Sequence, residues 1–261
     1  MKLIAVALTL EQGKVSEKWI VNCSGAYTLG DRTFHCWNTE GHGKVNMQQA
    51  ITHSCNIYFY QLIQKLSFEN WKEMAEKFGY GRLSGIDLYG EGTGNIPGRE
   101  YMNKKYGKYG WSTGNLLTFV IGQGDILATP IQVAQMMNLI ASSGNTHVPG
   151  LNSNNSYNEF NLSLKPSTWD FLQTAVWNVV NNKNGTGKLA KIEGADIHGK
   201  TGTSQNPHGK DHSWFAGYMT IKNNPIISLS VLVEHGGKGS IEATIISRKI
   251  FEFVQKNELI Q

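Results

Sequence analysis

Apolar residues recur at helical spacing over most of the first 185 positions of the chain. Such a periodicity predicts helices that each bury one face, and Lys2–Glu11, which is apolar almost all round, is predicted to be a buried core helix. A capping box with proline in the first turn marks one further helix start at Thr129. The predicted helices are Lys2–Glu11, Val45–Leu66, Ser67 to near Gly79, the segment after Thr129, and about Ser167–Val180.

The pattern changes after Gly187 to runs that are rich in β-branched and aromatic residues. Residues 212–221 and 225–234 form two such runs separated by a Lys-Asn-Asn turn at 222–224, which is a hairpin pattern, and residues 195–203 are predicted to pair as a third strand. Residues 245–256 return to helical spacing. The fold class predicted from this order is a mixed α/β unit with an antiparallel sheet covered by helices.

Composition and charge exclude several classes of protein. The 261 residues are 40% hydrophobic and 17% charged, which is typical of a globular chain with a packed core. The formal net charge of +4 comes from scattered basic residues, so we expect no nucleic-acid partner. The longest apolar run, Leu3 to Leu10, is too short to span a bilayer, and no small-residue cleavage site follows it as it would in a signal peptide.

All three cysteines lie in the first quarter of the chain together with a histidine. Cys23, Cys36, His42 and Cys55 are separated by twelve, five and twelve residues. Thiolate and imidazole are the ligands that tetrahedral zinc prefers, so the four residues are a candidate zinc site. His35 and His53 are alternatives for the fourth ligand. Separate buried cysteines, or a disulfide between Cys23 and Cys36, are the other interpretations.

Two short motifs carry groups suited to acyl transfer. Ser54-Cys55-Asn56 falls on the second predicted helix and places a hydroxyl and an amide side by side, where they could relay a proton and hold a substrate amide. Residues 200–203, Lys-Thr-Gly-Thr, fall on a candidate edge strand and supply a cation, two hydroxyls and a glycine that permits close approach of a substrate backbone. Each motif alone also occurs by chance or as an ordinary turn.

The order and context of these motifs resemble one family over nearly the whole chain. The family is the transpeptidase domain of class B penicillin-binding proteins, in particular the penicillin-binding protein 2, or elongation, group. The segments that carry the resemblance are YTLG, FHCWNTEGHGKVNMQQAITHSCNIYFYQ, FGYGRLSGIDL, FVIGQGDILATPIQVAQ and HGKTGTSQ followed by HSWFAGY. The resemblance implies a β-lactamase-like fold and a serine acyltransferase with three signature elements, Ser-x-x-Lys, Ser-x-Asn and Lys-Thr-Gly.

The first signature element is incomplete in this sequence. Lys2 aligns with its lysine, and no serine in the chain has a lysine three positions later. The resemblance therefore implies that the nucleophilic serine lies before Met1. We expect residues 1–261 to be one transpeptidase domain truncated at its N-terminus, with a helical part at about 1–185 and the strand hairpin and closing helix at about 186–261.

The resemblance also implies a role for each matched residue. Lys2 would take the proton of the nucleophile, Ser54 would relay a proton to the leaving amine, and Asn56 would hold the substrate amide. Lys200 would supply positive potential beside Gly202. Thr201 and Thr203 would bind the terminal carboxylate of the substrate, and the Thr203 N–H would form half of the oxyanion hole.

Further expectations from the resemblance concern the metal, partners and location. A structural zinc ion on Cys23, Cys36, His42 and Cys55 would hold the Ser-x-Asn segment from behind. The partners would be peptidoglycan stem peptides, β-lactams and, in the full-length form, membrane proteins of the elongation complex. The full-length form would be anchored in the inner membrane and would act on its periplasmic face.

Three rival interpretations remain. One is a β-lactam-hydrolysing or β-lactam-sensing relative, although the Cys/His segment and the FGYG…GIDL segment favour the synthetic enzyme. Another is a catalytically inactive, zinc-stapled fragment. The third is a second metal site at His208, Asp211 and His212, where a loop that contacts substrate or solvent is the favoured interpretation.

Overall fold

The computed structural model describes residues 1–151, 158–222 and 224–257. The chain divides into two compact units, the first formed by Met1–Arg82 and Thr93–Ala128 and the second by Leu83–Gly92 and Thr129–Gln261. Residues 83–92 belong to the second unit although they lie within the sequence of the first. That residues 1–261 form one transpeptidase domain, with a helical part at about 1–185 and a strand part at about 186–261, stays a prediction.

The helices and strands follow one another in mixed order. The helices are α1 Lys2–Gln12, α2 Met47–Thr52, α3 Asn56–Ile63, α4 Phe68–Lys77, α5 Arg99–Tyr106, α6 Thr113–Val120, α7 Pro130–Ala141, α8 Pro166–Asn181 and α9 Glu242–Lys256. The strands are β1 Val21–Cys23, β2 Ala26–Leu29, β3 Arg32–His35, β4 Gly43–Val45, β5 Asn145–His147, β6 Glu159–Asn161, β7 Asp196–Ser204, β8 His212–Ile221 and β9 Asn224–Val233.

The first unit is built around α1. The side chains from Leu3 to Thr9 are all buried, and the helix packs against α3 and α4. Gly13 ends α1 in the left-handed conformation. Two small antiparallel pairs, β1 with β4 and β2 with β3, hold the segment that contains the first two cysteines. The prediction of a buried first helix is confirmed.

The predicted continuous helix over Val45–Leu66 is wrong. The structure has two helices there, α2 and α3, and the backbone between them reverses through Ser54 at φ +54°. Ser54 therefore lies in the break, Cys55 caps α3 and Asn56 is its first residue. The apolar spacing continues across the break because both helices bury their apolar sides, so periodicity alone does not reveal it.

The second unit contains the three-stranded antiparallel sheet, in the order β7-β8-β9. Lys200 pairs with Ala216 and Thr203 with Ser213 along β7 and β8. Helix α8 packs against β7, helix α9 against β8 and β9, and α7 also contacts β8 and β9. The three predicted strands and the closing helix are confirmed, and Asn223 of the predicted turn lies outside the described residues.

Over the described ranges, no helix combines the length and the apolar character that crossing a membrane requires.

Candidate active site and metal centre

The amine of Lys2 joins the start of α1 to the Ser-x-Asn segment. Its Nζ atom donates to the carbonyl oxygen of Ser54 at 2.8 Å, to the Ser54 Oγ at 3.1 Å and to the Asn56 Oδ1 at 2.7 Å. The same amine lies 5.4 Å from the centre of the Phe59 ring. The structure thus brings together three of the four residues that the sequence assigned to catalysis.

The backbone at Ser54 is held in a conformation that a non-glycine residue adopts at a cost. Its φ is +54°, and its carbonyl oxygen accepts a hydrogen bond from the Lys2 amine. The Asn56 N–H that follows donates to the sulfur of Cys36 at 3.4 Å. Contacts from two distant parts of the chain therefore fix both the hydroxyl of Ser54 and the amide of Asn56.

Burial shifts the proton affinity of Lys2. Removal of the amine from water lowers the pKa of Lys2 from 10.5 to about 8, and the nearby sulfurs of Cys55 and Cys36 oppose this shift. A lysine with a pKa near 8 is partly neutral at physiological pH. It can therefore accept a proton from a hydroxyl group placed beside it.

The three cysteines and His42 converge as the sequence predicted. Their ligand atoms, the three Sγ atoms and one His42 ring nitrogen, all lie within 4.8 Å of one another. The His42 Nδ1 is 3.5 Å from the Cys23 Sγ and 3.6 Å from the Cys36 Sγ. All three thiols are free and buried, so the alternative of a Cys23–Cys36 disulfide is not what the structure contains. The cluster could hold a metal ion.

Hydrogen bonding in the cluster favours a thiolate at Cys36. The Cys55 thiol, His42 and the backbone N–H groups of Asn38 and Asn56 lower the pKa of Cys36 well below its ordinary value. The pKa of Cys55 is raised, because its proton is shared with Cys36 and because it is buried. Since the thiolate is the form of cysteine that binds a metal ion, the lowered pKa of Cys36 suits a metal site.

Aromatic residues enclose the histidine of the cluster. The ring of His53 stacks on His42 with centroids 5.6 Å apart, and the Trp37 ring meets His42 edge-on at 5.3 Å. The Trp37 Nε1 donates to the carbonyl of His53 at 2.9 Å. The His42 ring therefore belongs to the cluster with the cysteines, whereas the His53 ring packs on His42 and is not part of the cluster. His35 contributes only its carbonyl oxygen, which accepts from the Tyr60 hydroxyl at 3.2 Å.

The Lys-Thr-Gly-Thr motif lies on β7, at one edge of the sheet of the second unit. The Lys200 Nζ donates to the carbonyl of Thr201 at 3.1 Å, and the hydroxyls of Thr201 and Thr186 are 2.7 Å apart. The Thr203 Oγ1 accepts from the N–H of Gly239 at 3.0 Å. The sequence gives no signal for Thr186 and Gly239, because neither belongs to a recognisable motif and each contacts β7 only in the folded chain.

Close packing around the Gly202 backbone explains why residues 202 and 239 are both glycine. A side chain at Gly202 would lie 3.2 Å from the Cβ of Trp214, and one at Gly239 would lie 1.8 Å from the Gly202 carbonyl oxygen. The chain after β9 therefore passes directly over the motif backbone. No second metal-ligand cluster occurs in residues 1–151, 158–222 and 224–257, and His208, Asp211 and His212 do not form one.

Comparison with known proteins agrees with this arrangement. The penicillin binding protein transpeptidase domain matches residues 1–252. The chain is 31% identical over 267 residues to the peptidoglycan D,D-transpeptidase MrdA of Haemophilus influenzae, and the alignment covers 91% of this chain and 41% of that protein. The Escherichia coli K12 protein of the same name is 27% identical over 251 residues, covering 86% of this chain and 39% of that protein. The chain thus spans about two fifths of the length of these relatives.

Solved structures show the same fold. Penicillin-binding protein 2 of Pseudomonas aeruginosa, solved in complex with WCK 5153, superposes with a TM-score of 0.88 at 32% identity and covers 97% of this chain and 59% of that one. Penicillin-binding protein 2 of Helicobacter pylori, solved in complex with MreC, gives 0.85 at 27% identity over 97% of this chain and 48% of that one. The predicted fold and the resemblance to the penicillin-binding protein 2 group are confirmed. Since the matched residues 1–252 are nearly the whole chain, it belongs to the penicillin-binding protein transpeptidase domain family.

Proposed function

We propose that this chain is the acyl-transfer part of a peptidoglycan D,D-transpeptidase that cross-links stem peptides during cell elongation. The observation that carries the proposal is the contact of the Lys2 amine with both members of the Ser-x-Asn motif, at 3.1 Å from the Ser54 Oγ and 2.7 Å from the Asn56 Oδ1. A base, a proton relay and an amide-binding side chain are the groups that acyl transfer to a serine requires.

The proposed reaction has two steps. A serine three positions before Lys2, which the 261-residue sequence does not include, attacks the carbonyl of the D-Ala-D-Ala bond, and the neutral Lys2 amine takes its proton. The C–N bond breaks as Lys2 returns this proton through the Ser54 hydroxyl to the departing D-Ala amine, and an acyl-serine remains. An amine of a neighbouring stem peptide then attacks this ester, and its proton returns to the serine.

The remaining roles are in binding. Asn56 holds the substrate amide, while Lys200 supplies positive potential to the terminal carboxylate. Thr201 and Thr203 offer hydroxyls to that carboxylate, and Gly202 leaves room for the substrate backbone. The Thr203 N–H donates to the oxygen that becomes negative in the tetrahedral intermediate, where a fixed donor contributes most.

Zinc fits the cysteine cluster. A tetrahedral zinc ion with Zn–S of about 2.3 Å and Zn–N of about 2.0 Å separates sulfur from nitrogen by about 3.5 Å. The two distances from the His42 Nδ1 to Cys23 and Cys36, 3.5 and 3.6 Å, match this value. Cys23, Cys36, His42 and Cys55 would hold the ion. Its contribution would be structural, because a bound Cys55 would fix the backbone on either side of it and so orient Ser54 and Asn56.

The proposal extends to location and partners. The substrates are peptidoglycan stem peptides, and β-lactams are expected to acylate the same serine. The whole protein is proposed to be anchored in the inner membrane, to act on its periplasmic face and to bind membrane proteins of the elongation complex. The solved complex of the Helicobacter pylori penicillin-binding protein 2 with MreC supports the last point.

The test uses native membranes. They are labelled with a fluorescent penicillin, immunoprecipitated with an antibody against this chain, and the labelled peptide is mapped by mass spectrometry. We expect a labelled protein well above 29.0 kDa with the adduct on the serine three residues before Lys2. An adduct on another residue would refute the proposed mechanism, and rapid hydrolysis of the adduct would indicate a β-lactam-hydrolysing relative.

A gel of the same immunoprecipitate tests the second candidate function, a zinc-stapled fragment without acyl transfer. The Cys/His cluster, whose three cysteines are buried, favours it, because the cluster would keep the first unit folded whether or not the nucleophile is present. An unlabelled band near 29.0 kDa as the sole immunoreactive product would establish this candidate and contradict the transpeptidase.

A further inference from the structure

A surface on the first unit combines cations with aromatic rings and has no role in the proposed reaction. It consists of α5 and the turn after it, residues 99–111, and is called the α5 patch here. Its sequence holds four Lys or Arg residues, one carboxylate, three tyrosines and one tryptophan. Tyr109 is 89% exposed and Tyr106 39% exposed, and Lys104, Lys105 and Lys108 are exposed as well.

The α5 patch is held in place by contacts to the rest of the unit. The carboxylate of Asp125 accepts from the Tyr106 hydroxyl at 2.7 Å and pairs with Lys105. The Trp111 Nε1 donates to the Asn103 Oδ1 at 2.8 Å, and this bond ties the end of the turn to the helix. These contacts anchor the helix and the end of the turn, so a partner that binds the patch does not have to order this backbone.

The turn after α5 is tight. The Gly110 N–H donates to the Gly107 carbonyl at 3.1 Å, and a side chain at Gly110 would lie 1.8 Å from the Tyr106 carbonyl oxygen. This tight turn presents Tyr109 to solvent, with the Lys108 ammonium 5.6 Å from the centre of its ring. A cation and an aromatic ring thus lie together at one exposed tip.

The charges that remain available identify the chemistry of the partner. Lys105 is neutralised by Asp125, and Arg99 by Glu69 at 2.7 Å, whereas Lys104 and Lys108 have no carboxylate partner among the described residues. Two ammonium groups that pair with no carboxylate in the described residues suit carboxylates of a partner, and an exposed tyrosine ring suits the C–H face of a sugar ring. Peptidoglycan carries both groups, in its glycan chain and in its stem peptides.

We propose that the α5 patch binds the peptidoglycan polymer, with Tyr109 against a sugar ring and Lys104 and Lys108 against stem-peptide carboxylates. The choice of polymer rests on the proposed function of the chain. A membrane surface fits less well, because binding at a bilayer needs a buried apolar face. The exposed aromatics of the patch are tyrosines, and Trp111 is half-buried against Phe68, with ring centroids 5.7 Å apart.

The test is co-sedimentation of the 261-residue chain with purified Gram-negative sacculi, which needs no catalytic serine. The double variant Lys104→Glu/Lys108→Glu is expected to bind about tenfold more weakly, and Tyr109→Ala about threefold. The matched control is Lys14→Glu/Lys18→Glu, which makes the same charge change at two exposed lysines of the same unit and is expected to bind within about twofold of the unchanged chain.

Three outcomes would overturn the proposal: no binding of the unchanged chain to sacculi, equal losses in the patch variant and its control, or binding to phosphatidylglycerol vesicles that the patch variant abolishes while binding to sacculi persists. Failure of the proposed reaction is separate from these, because it would appear as absent penicillin labelling with binding to sacculi intact.

Discussion

The Nζ atom of Lys2 donates to the Oδ1 of Asn56 at 2.7 Å, across 54 positions of sequence. This contact aligns the first helix with the start of α3 and fixes which end of the Asn56 amide faces the lysine. The amide nitrogen of Asn56 is directed to the carbonyl of His35, 3.4 Å away. The arrangement of the candidate site therefore depends on contacts between residues that are far apart in the sequence.

Replacement of Lys2 tests its role as a base. In the native protein that carries the serine, Lys2→Ala is expected to reduce the rate of penicillin acylation by about 10²–10⁴-fold, because the proton of the nucleophile loses its acceptor. Lys2→Arg should not restore the rate, since a guanidinium stays protonated. The measurement is stopped-flow acylation with a fluorescent penicillin. Near-normal acylation of either variant would contradict the assignment.

Metal content distinguishes the four proposed ligands from the neighbouring histidines. We expect about one zinc ion per purified chain, and marked loss of it in Cys55→Ser and His42→Gln, measured by elemental analysis. The matched controls are His53→Gln and His35→Gln, which should retain the metal because neither ring belongs to the cluster. Equal loss in His42→Gln and His53→Gln would show that the fourth ligand is assigned incorrectly.

Removal of the metal should loosen the Ser-x-Asn segment selectively. The Asn56 N–H donates to the Cys36 sulfur, so displacement of that sulfur exposes the amide to solvent. Hydrogen exchange after chelation is expected to rise in residues 21–56 and to stay unchanged in β7 and β8 of the second unit. Faster exchange throughout both units would instead indicate general unfolding.

His198 should make stability depend on pH. It stacks on Tyr218 with ring centroids 4.4 Å apart, and burial lowers the pKa of His198 below its ordinary value of 6.5. Between the pKa of His198 in the folded chain and its pKa of 6.5 in the unfolded chain, the unfolded chain binds more protons. The contribution of His198 to the free energy of unfolding is therefore fully present above pH 6.5 and is lost as the pH falls below it.

The measurement is urea unfolding at about pH 7.5 and about pH 5.5. The drop in unfolding free energy at the lower pH should be smaller in His198→Phe, which keeps an aromatic ring against Tyr218 but does not titrate. His147→Gln, at an exposed histidine, is the control and should behave like the unchanged chain. An identical drop in unfolding free energy in His198→Phe would show that His198 does not cause the pH dependence.

Gly239 is expected to be indispensable to the packing over the Lys-Thr-Gly-Thr strand. Gly239→Ala would place a carbon 1.8 Å from the Gly202 carbonyl oxygen, so we expect a loss of about 1–3 kcal/mol in unfolding free energy. The control is Gly92→Ala in the same unit, where the nearest atom would be 3.8 Å away. Thermal unfolding of the two variants measures the difference, and equal stability would contradict the close approach.

Local sequence determined the elements whose signals are local. The buried helix after Met1 ends at Gly13 as its apolar pattern predicts, and the capping box at Thr129 starts α7, with the Gln132 N–H bonded to the Thr129 hydroxyl at 3.3 Å. The strands β7, β8 and β9 also follow from alternation and a short turn. Periodicity, caps and turns act between residues close in sequence, so they can be identified without a structure.

The resemblance to a family supplied the candidate residues, but only the tertiary structure decided how they are held. Ser54 was predicted inside a helix and lies instead in a break at φ +54°, stabilised by Lys2 from one side and by Cys36 through Asn56 from the other. The choice of His42 over His35 and His53 likewise depends on how the pairs β1–β4 and β2–β3 fold the chain. Contacts between residues 20 to 54 positions apart leave no periodic signal, because their energy depends on distances that exist only after folding.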